Sequence, residues 1–335
     1  MLLSLVICTR NRAEQLRRTL RTAEKLEAPG EPWELLIIDN GSTDHTARVV
    51  EDFADRLPIR RIVECEPGLS NARNRGVQEA RGRYICWTDD DVLLDRGWLA
   101  AYADAFRRHP EASFFGGRVT PVFDGPVPGW FAANSDLLGD LLATRDLGGT
   151  EFRFLSGARE LPYGASFAVR TSDQRRHPFD PALGAGRQRL GEESVVMLAM
   201  LAEGGHGVWV PAARAGHVIA AARLTLGYVA DYYRASGATW AYLGREGQCT
   251  PMGPPPPAGR ARILGAPLWL WRAVLVGGLA CRLSWPARTL SRRRLEAWIN
   301  YHYMRGALSQ IRAQAGRKAA PLGAPGVAPA GWLRG

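Results

Sequence analysis

Three consecutive carboxylates, Asp89, Asp90 and Asp91, follow a short apolar run at 84–87. A run of this length predicts a buried parallel strand, so the acids stand where a strand ends in a loop. Adjacent carboxylates repel one another, and a hard cation such as Mg²⁺ or Mn²⁺ would neutralise them, usually together with substrate phosphates. The alternative is a solvated acidic turn that caps the helix predicted at 97–108.

The elements that must position these acids alternate between strand and helix along the first half of the chain. The apolar spacing predicts strands at 2–8, 33–38, 59–63 and 83–87, and helices at 13–27, 46–53 and 69–80. Repeated βαβ units imply an α/β, Rossmann-like fold with a doubly wound, mostly parallel sheet and right-handed crossovers. In such sheets ligands bind outside the carboxyl ends of the strands.

The carboxyl edge of this predicted sheet collects polar residues from three strands. They are Thr9 and Asn11 after the first strand, Asp39 and Asn40 after the second, and Asp89 to Asp91 after the fourth. An Asp or Asn beside a Thr can hydrogen-bond a base or a ribose, and metal-bridged acids can hold a diphosphate. Arg73, in the N-terminal half of a helix, adds a cation where anions are favoured. Each piece alone is compatible with ordinary capping, but their convergence indicates a nucleotide site.

Four motifs in this order and spacing resemble those of the inverting family 2 glycosyltransferases of GT-A fold. The motifs are Val6-Ile7-Cys8-Thr9-Arg10-Asn11-Arg12, Ile38-Asp39-Asn40-Gly41-Ser42-Thr43-Asp44, Ala72-Arg73-Asn74-Arg75-Gly76 and Thr88-Asp89-Asp90-Asp91-Val92. The resemblance covers about residues 2–218. It implies a nucleotide-diphosphate-sugar donor, with UDP-sugars favoured, and a divalent metal, Mg²⁺ or Mn²⁺.

The resemblance also implies roles for the residues of this edge. Those expected to bind the nucleotide sugar are Thr9, Asn11, Asp39, Asn40, Arg73, Asp89 and Asp90. Asp89 and Asp91 match the outer acids of the family's D-x-D motif, which grip ribose and metal. Where many relatives have a second aspartate this chain has Asn40, so either Asp39 or Asn40 can be the residue that touches the base.

Inverting transfer also needs a base for the acceptor hydroxyl and a cation beside the departing phosphate. Glu192 and Glu193 precede an apolar helix predicted at 195–201 and resemble the family's Glu-Asp motif, in which the second acid is the base. Glu193 is therefore the expected base and Glu192 the alternative, while helix capping would explain both without catalysis. His217, after a short strand at 208–211, would complete the metal site or contact the diphosphate by resemblance, with a structural histidine as the alternative.

The acceptor is expected to be a hydroxyl of a glycan, a lipid-linked sugar or a secondary metabolite. Residues 162–170 resemble the family's glycine-containing acceptor-side strand, and 123–147 are predicted to form a mobile loop over the acceptor. The chain has no P-loop, dinucleotide, zincin or nucleophile-elbow motif. Two alternatives to an active transferase stay open: a catalytically impaired sugar-nucleotide-binding protein and a sugar-nucleotide pyrophosphorylase.

The net charge of +10 is concentrated at the C-terminal end. Residues 256–335 contain thirteen Arg and Lys against one acid, Glu296. The predicted organisation is a catalytic domain at 1–222, a helical connection at 223–247, a Pro/Gly linker at 248–259, a basic amphipathic helical region at 260–316 and a disordered tail at 317–335. The apolar run at 263–285 is too short and too charged to span a bilayer, and the basic region at 260–316 suits an anionic membrane surface. A hairpin packed on the catalytic domain and a dimer contact are the alternatives.

The five cysteines show no metal or disulfide spacing and are typical of buried residues in a reducing compartment. The first residues are predicted to form a strand rather than a signal peptide. We therefore expect a cytoplasmic protein, with peripheral attachment to the inner face of the cytoplasmic membrane as a further expectation. Nucleic acid is not expected as a partner, because the aromatic residues of the basic region lie in apolar runs.

Overall fold

The computed structural model describes residues 2–158, 160–245, 261–283 and 290–316. The predicted linker at 248–259 and tail at 317–335 lie outside these described residues. The strands are β1 (Leu3–Thr9), β2 (Trp33–Asp39), β3 (Ile59–Val63), β4 (Tyr84–Asp89), β5 (Val92–Leu94), β6 (Phe114–Asp124), β7 (Arg153–Phe154), β8 (Phe167–Arg170), β9 (Gly207–Ala220), β10 (Arg262–Ile263) and β11 (Ala266–Pro267). The helices are α1 (Ala13–Ala23), α2 (Thr46–Glu51), α3 (Leu69–Glu79), α4 (Trp98–Arg108), α5 (Gly129–Ala132), α6 (Thr171–Arg176), α7 (Glu192–Ala202), α8 (Leu226–Arg245), α9 (Leu268–Leu283) and α10 (Arg292–Gly316).

The first four strands form the predicted parallel sheet, in the order β3-β2-β1-β4. β1 and β2 are almost continuous apolar runs because parallel strands are buried on both faces. The register pairs Thr9 with Asp39 and Cys8 with Asp89. The polar residues after these strands therefore meet at one edge, as predicted.

The second half of the chain extends the sheet with strands of mixed direction. β8 lies antiparallel between β4 and β6, and β6 pairs in parallel with β9. β9 continues well beyond the short strand predicted at 208–211 and pairs antiparallel with β5, which places His217 opposite Val92. A histidine that is distant in sequence thus lies beside the acidic loop.

Apolar side chains cover both faces of the sheet because successive strand residues point to opposite sides. On one face, Leu5 and Ile7 of β1 pack with the buried residues of α1 and α4. On the other, Val6 packs with buried residues of α3 and α7. Two long elements of the site, α3 and α7, therefore sit on the same side of the sheet.

The C-terminal helices form a layer that starts at α8, which lies within the helical connection predicted at 223–247. α10 packs along α8, and α9 packs on α10. Segment 123–147, predicted as a mobile loop, contributes buried Phe131, Leu138 and Leu142 to an apolar cluster with Val229 of α8 and Leu295 of α10. Within the described ranges, none of the helices is both long enough and apolar enough to cross a bilayer.

The contact between α8 and α10 gives a test of this layer. A Cβ on Gly237 would lie 1.9 Å from the carbonyl oxygen of Tyr303. Gly237→Ala must separate the two helix backbones, and we expect it to destabilise the protein by about 3 kcal/mol. Gly227→Ala in the same helix is the control, because a Cβ there would lie 4.0 Å from Thr225 Oγ1. Equal unfolding free energies for the two variants in denaturant titrations would contradict this packing.

Candidate active site

A cavity of about 570 Å³ opens at the carboxyl ends of β1 and β4, a volume suited to a small-molecule ligand. It is lined by nine of the residues predicted to form the site. They are Thr9, Asn40, Arg73, Asp89, Asp90, Asp91, Glu192, Glu193 and His217. The structure therefore brings residues from both halves of the chain to one cavity.

Two of the predicted donor-binding residues, Asn11 and Asp39, do not line this cavity. The Asn11 side chain accepts a 2.7 Å hydrogen bond from the backbone N–H of Thr43 and so orders the turn after β2. Asp39 is 1% exposed. One of its oxygens accepts from the N–H of Ser42, and the other accepts from both Nε and Nη2 of Arg61 at 2.9 and 2.6 Å.

Asn40 lies on the cavity wall, and its amide is fully engaged with the loop after β3. Its Nδ2 donates to the carbonyl oxygens of Glu64 and Glu66, and its Oδ1 accepts from the N–H of Gly68. Gly68 precedes α3 and has a φ of +129°, which glycine adopts at low cost. Asn40 thus fixes the backbone that leads into the helix carrying Arg73.

Asp90, in the loop after β4, is buried against the end of β1. It accepts a 2.7 Å hydrogen bond from Thr9 Oγ1 and lies 3.0 Å from the Arg12 guanidinium. Burial raises the pKa of Asp90 to about 7, although the Arg12 charge opposes this shift. Its contacts make Asp90 a link between the end of β1 and the Arg12 side chain.

Asp91 sits among three cationic or potentially cationic groups. Its Oδ2 accepts from Arg12 at 2.8 Å and from Arg223 at 3.0 Å. Its Oδ1 lies 3.4 Å from His217 Nε2. Burial favours the neutral acid, but the hydrogen bond and charge of His217, with those of the arginines, outweigh burial and hold the pKa of Asp91 well below its usual range.

His217 is oriented through its other ring nitrogen, since Nδ1 lies 2.7 Å from the carbonyl oxygen of Leu142. This contact assigns the proton to Nδ1 and turns Nε2 towards Asp91 and towards Arg223 at 3.0 Å. Burial by itself lowers the pKa of His217, but Asp91 outweighs burial and raises it. The Arg223 guanidinium therefore bridges His217 and Asp91.

Arg73 is the buried cation at the centre of the site. Its side chain is 3% exposed, and Nη1 lies 2.7 Å from Glu192 Oε1 and 3.7 Å from Glu193 Oε2. Nη2 lies 3.5 Å from Asp89 Oδ1. Burial favours loss of its proton, but the surrounding carboxylates outweigh burial and raise the pKa of Arg73. One guanidinium thus joins the acid at the end of β4 to both acids at the start of α7.

Glu192 and Glu193 occupy the first turn of α7, one turn earlier than the helix predicted at 195–201. Glu193 Oε1 accepts a hydrogen bond from the N–H of Gly164 at 3.3 Å and faces the cavity. Burial raises the pKa of Glu192, the charge of Glu193 adds to this effect, and Arg73 opposes it. The two acids therefore differ, since Glu192 is tied to Arg73 and Glu193 is open to a ligand.

Asp91 and His217 supply the atoms that suit a divalent cation. A carboxylate oxygen and an imidazole nitrogen converge on the Arg223 guanidinium, so the fold already places a cation between them. Among the described residues, no three histidine, cysteine or acidic side chains lie close enough together to hold a metal by themselves. Such a pair fits Mg²⁺ or Mn²⁺ that takes its remaining ligands from a diphosphate and water.

The far end of the cavity combines two segments that the sequence analysis placed beside the acceptor, 123–147 and 162–170, with Tyr232 of α8. Tyr163 Oη donates to Asp140 Oδ1 at 2.5 Å, and Tyr232 Oη donates to the backbone oxygen of Asp140. Asp140 belongs to segment 123–147 and Tyr232 to α8, so these contacts join two elements without a shared motif. Arg12 could have been predicted as a site residue because it follows β1 directly. No local sequence pattern marks Arg223 as one.

The Arg73 cluster predicts a pH-dependent change in stability. Arg73→Met leaves Glu192 buried without its cation, and we expect a loss of about 3–5 kcal/mol near pH 8. The folded state binds a proton at Glu192 more tightly than the unfolded state, so this penalty shrinks as the pH falls to about 5. Unfolding free energies at the two pH values measure it.

Arg75→Met is the matched control for Arg73→Met. Arg75 lies on the same helix, is 39% exposed and pairs with Glu79 in the next turn. Such exposed pairs contribute less than about 1 kcal/mol. A loss for Arg73→Met no greater than that of the control would contradict the central role of this cation.

Comparisons with known proteins agree with the resemblance carried by the motifs. The family model described as "Glycosyl transferase family 2" matches residues 4–157. Glucosyl-dolichyl phosphate glucuronosyltransferase of Haloferax volcanii is 29% identical over 136 residues, which are 39% of this chain and 42% of the relative. Validoxylamine A glucosyltransferase of Streptomyces hygroscopicus subsp. jinggangensis is 39% identical over 108 residues, which are 30% of this chain and 26% of the relative. The matched segments span less than half the length of these curated relatives.

A solved structure of another protein resembles almost the whole chain. It is a mannosyltransferase from Pyrobaculum calidifontis in complex with GDP-Man and Mn²⁺. The likeness has a TM-score of 0.59 at 16% identity and covers 93% of this chain and 87% of the other. At this identity the likeness shows a shared fold and extends beyond the residues matched by the family model.

Proposed function

Because the chain belongs to glycosyltransferase family 2 through residues 4–157 and has the GT-A fold predicted from its sequence, we propose that it is an inverting glycosyltransferase. The donor is a nucleotide-diphosphate sugar, with UDP-sugars favoured. The observation that carries the proposal is the single cavity in which the acids after β4 face the acid pair of α7. Those two groups supply the donor end and the base end that the reaction needs.

At the base end, Glu193 takes the proton of the acceptor hydroxyl as that oxygen attacks the anomeric carbon. The Gly164 N–H holds one oxygen of Glu193, while the Arg73–Glu192 ion pair fixes the first turn of the helix that carries it. Glu192 is already the principal partner of Arg73, which favours Glu193 as the base. Attack from this side, opposite the leaving diphosphate, inverts the configuration of the sugar.

At the donor end, Asp89 and Thr9 would bind the nucleoside, and Arg12 and Arg223 the diphosphate; all four line the cavity. Asp91 and His217 would hold Mg²⁺ or Mn²⁺, which supplies charge neutralisation for the departing diphosphate when bound. The Pyrobaculum mannosyltransferase structure, with GDP-Man and Mn²⁺, supports a divalent cation in this fold. Asp39 and Asn11 would act indirectly, by fixing the turn beside the nucleoside.

The acceptor enters at the end lined by Tyr163 and Tyr232, whose rings suit the face of a sugar or another cyclic alcohol. We assign the acceptor to the glycan, lipid-linked sugar or secondary-metabolite hydroxyls, within polysaccharide or glycoconjugate biosynthesis. The names of the two curated relatives, a dolichyl phosphate enzyme and a validoxylamine enzyme, support these classes. The reaction would take place in the cytoplasm, where nucleotide sugars are made.

Donor binding is tested by thermal unfolding with UDP-, GDP-, dTDP- and CMP-sugars, each with and without Mn²⁺. One nucleotide class should raise the melting temperature in a Mn²⁺-dependent manner, because a ligand of the folded state at about 100 times its Kd adds about 2.7 kcal/mol. Asp91→Asn should abolish this shift, whereas the exposed Asp104→Asn control should retain it. A shift with none of the sugars would contradict the donor site.

The assignment of the base is tested by Glu193→Gln. We expect the rate of transfer to a hydroxyl acceptor to fall by at least about 100-fold, because the amide cannot take a proton. The donor-induced thermal shift should stay unchanged. A fully active Glu193→Gln protein with an inactive Glu192→Gln protein would move the base to Glu192. A wild type that binds donor and transfers nothing would identify a catalytically impaired protein.

A further inference from the structure

The outward side of α9 and of the hairpin before it carries large aliphatic side chains that face solvent. On α9 they are Leu268, Leu275, Val276 and Leu279, and at the hairpin they are Ile263 and Leu264. Leu275 is 68% exposed and Leu279 is 59% exposed. We call this surface, together with Arg272 and Arg282, the outer face.

The spacing of these residues makes the outer face a continuous stripe. Positions 268, 272, 275, 279 and 282 recur every three or four residues and therefore share one side of the helix. The opposite side is occupied, because Leu270 and Cys281 are buried and Gly278 meets the ring of Tyr301 on α10. A helix that is apolar both towards the protein and towards solvent indicates a second apolar contact on its outer side.

The hairpin between β10 and β11 supplies an independent observation. Its two central residues, Leu264 and Gly265, both have positive φ, at 49° and 78°. Asn or Asp normally occupies the first of these positions, because other residues adopt the left-handed conformation at a cost of about 1 kcal/mol. Here a leucine adopts it while 67% exposed. Burial of that side chain in an apolar medium would offset this cost.

The charge of the outer face indicates which apolar medium it contacts. Arg272 and Arg282 are exposed on the stripe, and Arg262 is exposed beside the hairpin tip. No acid occurs between 261 and 283, and Glu296, the one acid after residue 255, pairs with Arg292 on α10. Aliphatic side chains flanked only by arginines complement anionic lipid headgroups above an acyl layer.

We propose that the outer face lies in the surface of an anionic lipid bilayer. The sixteen-residue helix would lie along the interface rather than across it, with its leucines below the headgroups and Arg272 and Arg282 among the phosphates. A second copy of the chain is the less suitable occupant, because a symmetric contact would bring the arginines of both copies towards one another. This attachment is independent of the proposed transferase activity.

The test is flotation of the full-length protein with vesicles of phosphatidylcholine, with and without phosphatidylglycerol. The wild type should float only with the anionic vesicles, and high salt should weaken binding. The variant Leu275→Glu/Leu279→Glu should reduce the bound fraction at least about tenfold, because it places carboxylates in the acyl layer. Arg272→Glu/Arg282→Glu should remove the dependence on phosphatidylglycerol.

Leu155→Glu is the matched control, because Leu155 is 60% exposed on the catalytic domain. This substitution should leave flotation unchanged. Melting temperatures and donor-induced thermal shifts, recorded without vesicles, separate a folding or donor-site defect from a loss of attachment. Absence of flotation by the wild type, or equal flotation of the wild type and Leu275→Glu/Leu279→Glu, would overturn the proposal. A lipid-free dimer that Leu275→Glu/Leu279→Glu dissociates, without vesicle binding, would assign the face to a second copy.

Discussion

The buried guanidinium of Arg73 is the interaction on which the rest of the site depends. Its contacts with Asp89 and Glu192 join the end of β4 to the start of α7. The space around it is fixed as well, since a Cβ on Gly164 would lie 2.3 Å from Arg73 Nη2. Removal of either partner of such a buried pair leaves an uncompensated charge, so the cluster constrains the positions of Asp89, Glu192 and Glu193 together.

The negative charges of the acids after β4 are also balanced by arginines, which constrains the rest of the cavity. Every acid of the loop after β4 has an arginine beside it: Arg73 for Asp89, and Arg12 for both Asp90 and Asp91, with Arg223 also on Asp91. The three carboxylates can therefore be packed together in the absence of a bound cation. A diphosphate entering the proposed donor end would meet arginines that are already oriented, which lowers the cost of ordering them on binding.

The sequence predicted the parts of the fold and site that depend on local pattern. Apolar runs located β1, β2 and β4, and parallel pairing then required Thr9 and Asp89 to share an edge. The reach of β9 to His217 and the antiparallel insertion of β8 depend on long-range pairing, which has no local signature. For the same reason the sequence did not reveal that Arg61, on β3, forms an ion pair with the Asp39 carboxylate.

The two ends of the cavity are formed by different structural elements, and we therefore expect them to tolerate substitutions to different degrees. The proposed donor end consists of strand ends fixed by the sheet. The proposed acceptor end consists of segment 123–147 and α8, which are held in turn by α10. The helices α8 and α10 also hold the residues just before α7, since Arg189 donates to Gln310 of α10 and the N–H of Leu190 donates to Thr239 of α8. The helical layer therefore forms the proposed acceptor end, positions the residues that lead to Glu193 and carries the outer face. A surface on which α9 rested would thus be connected through packed helices to that end of the cavity.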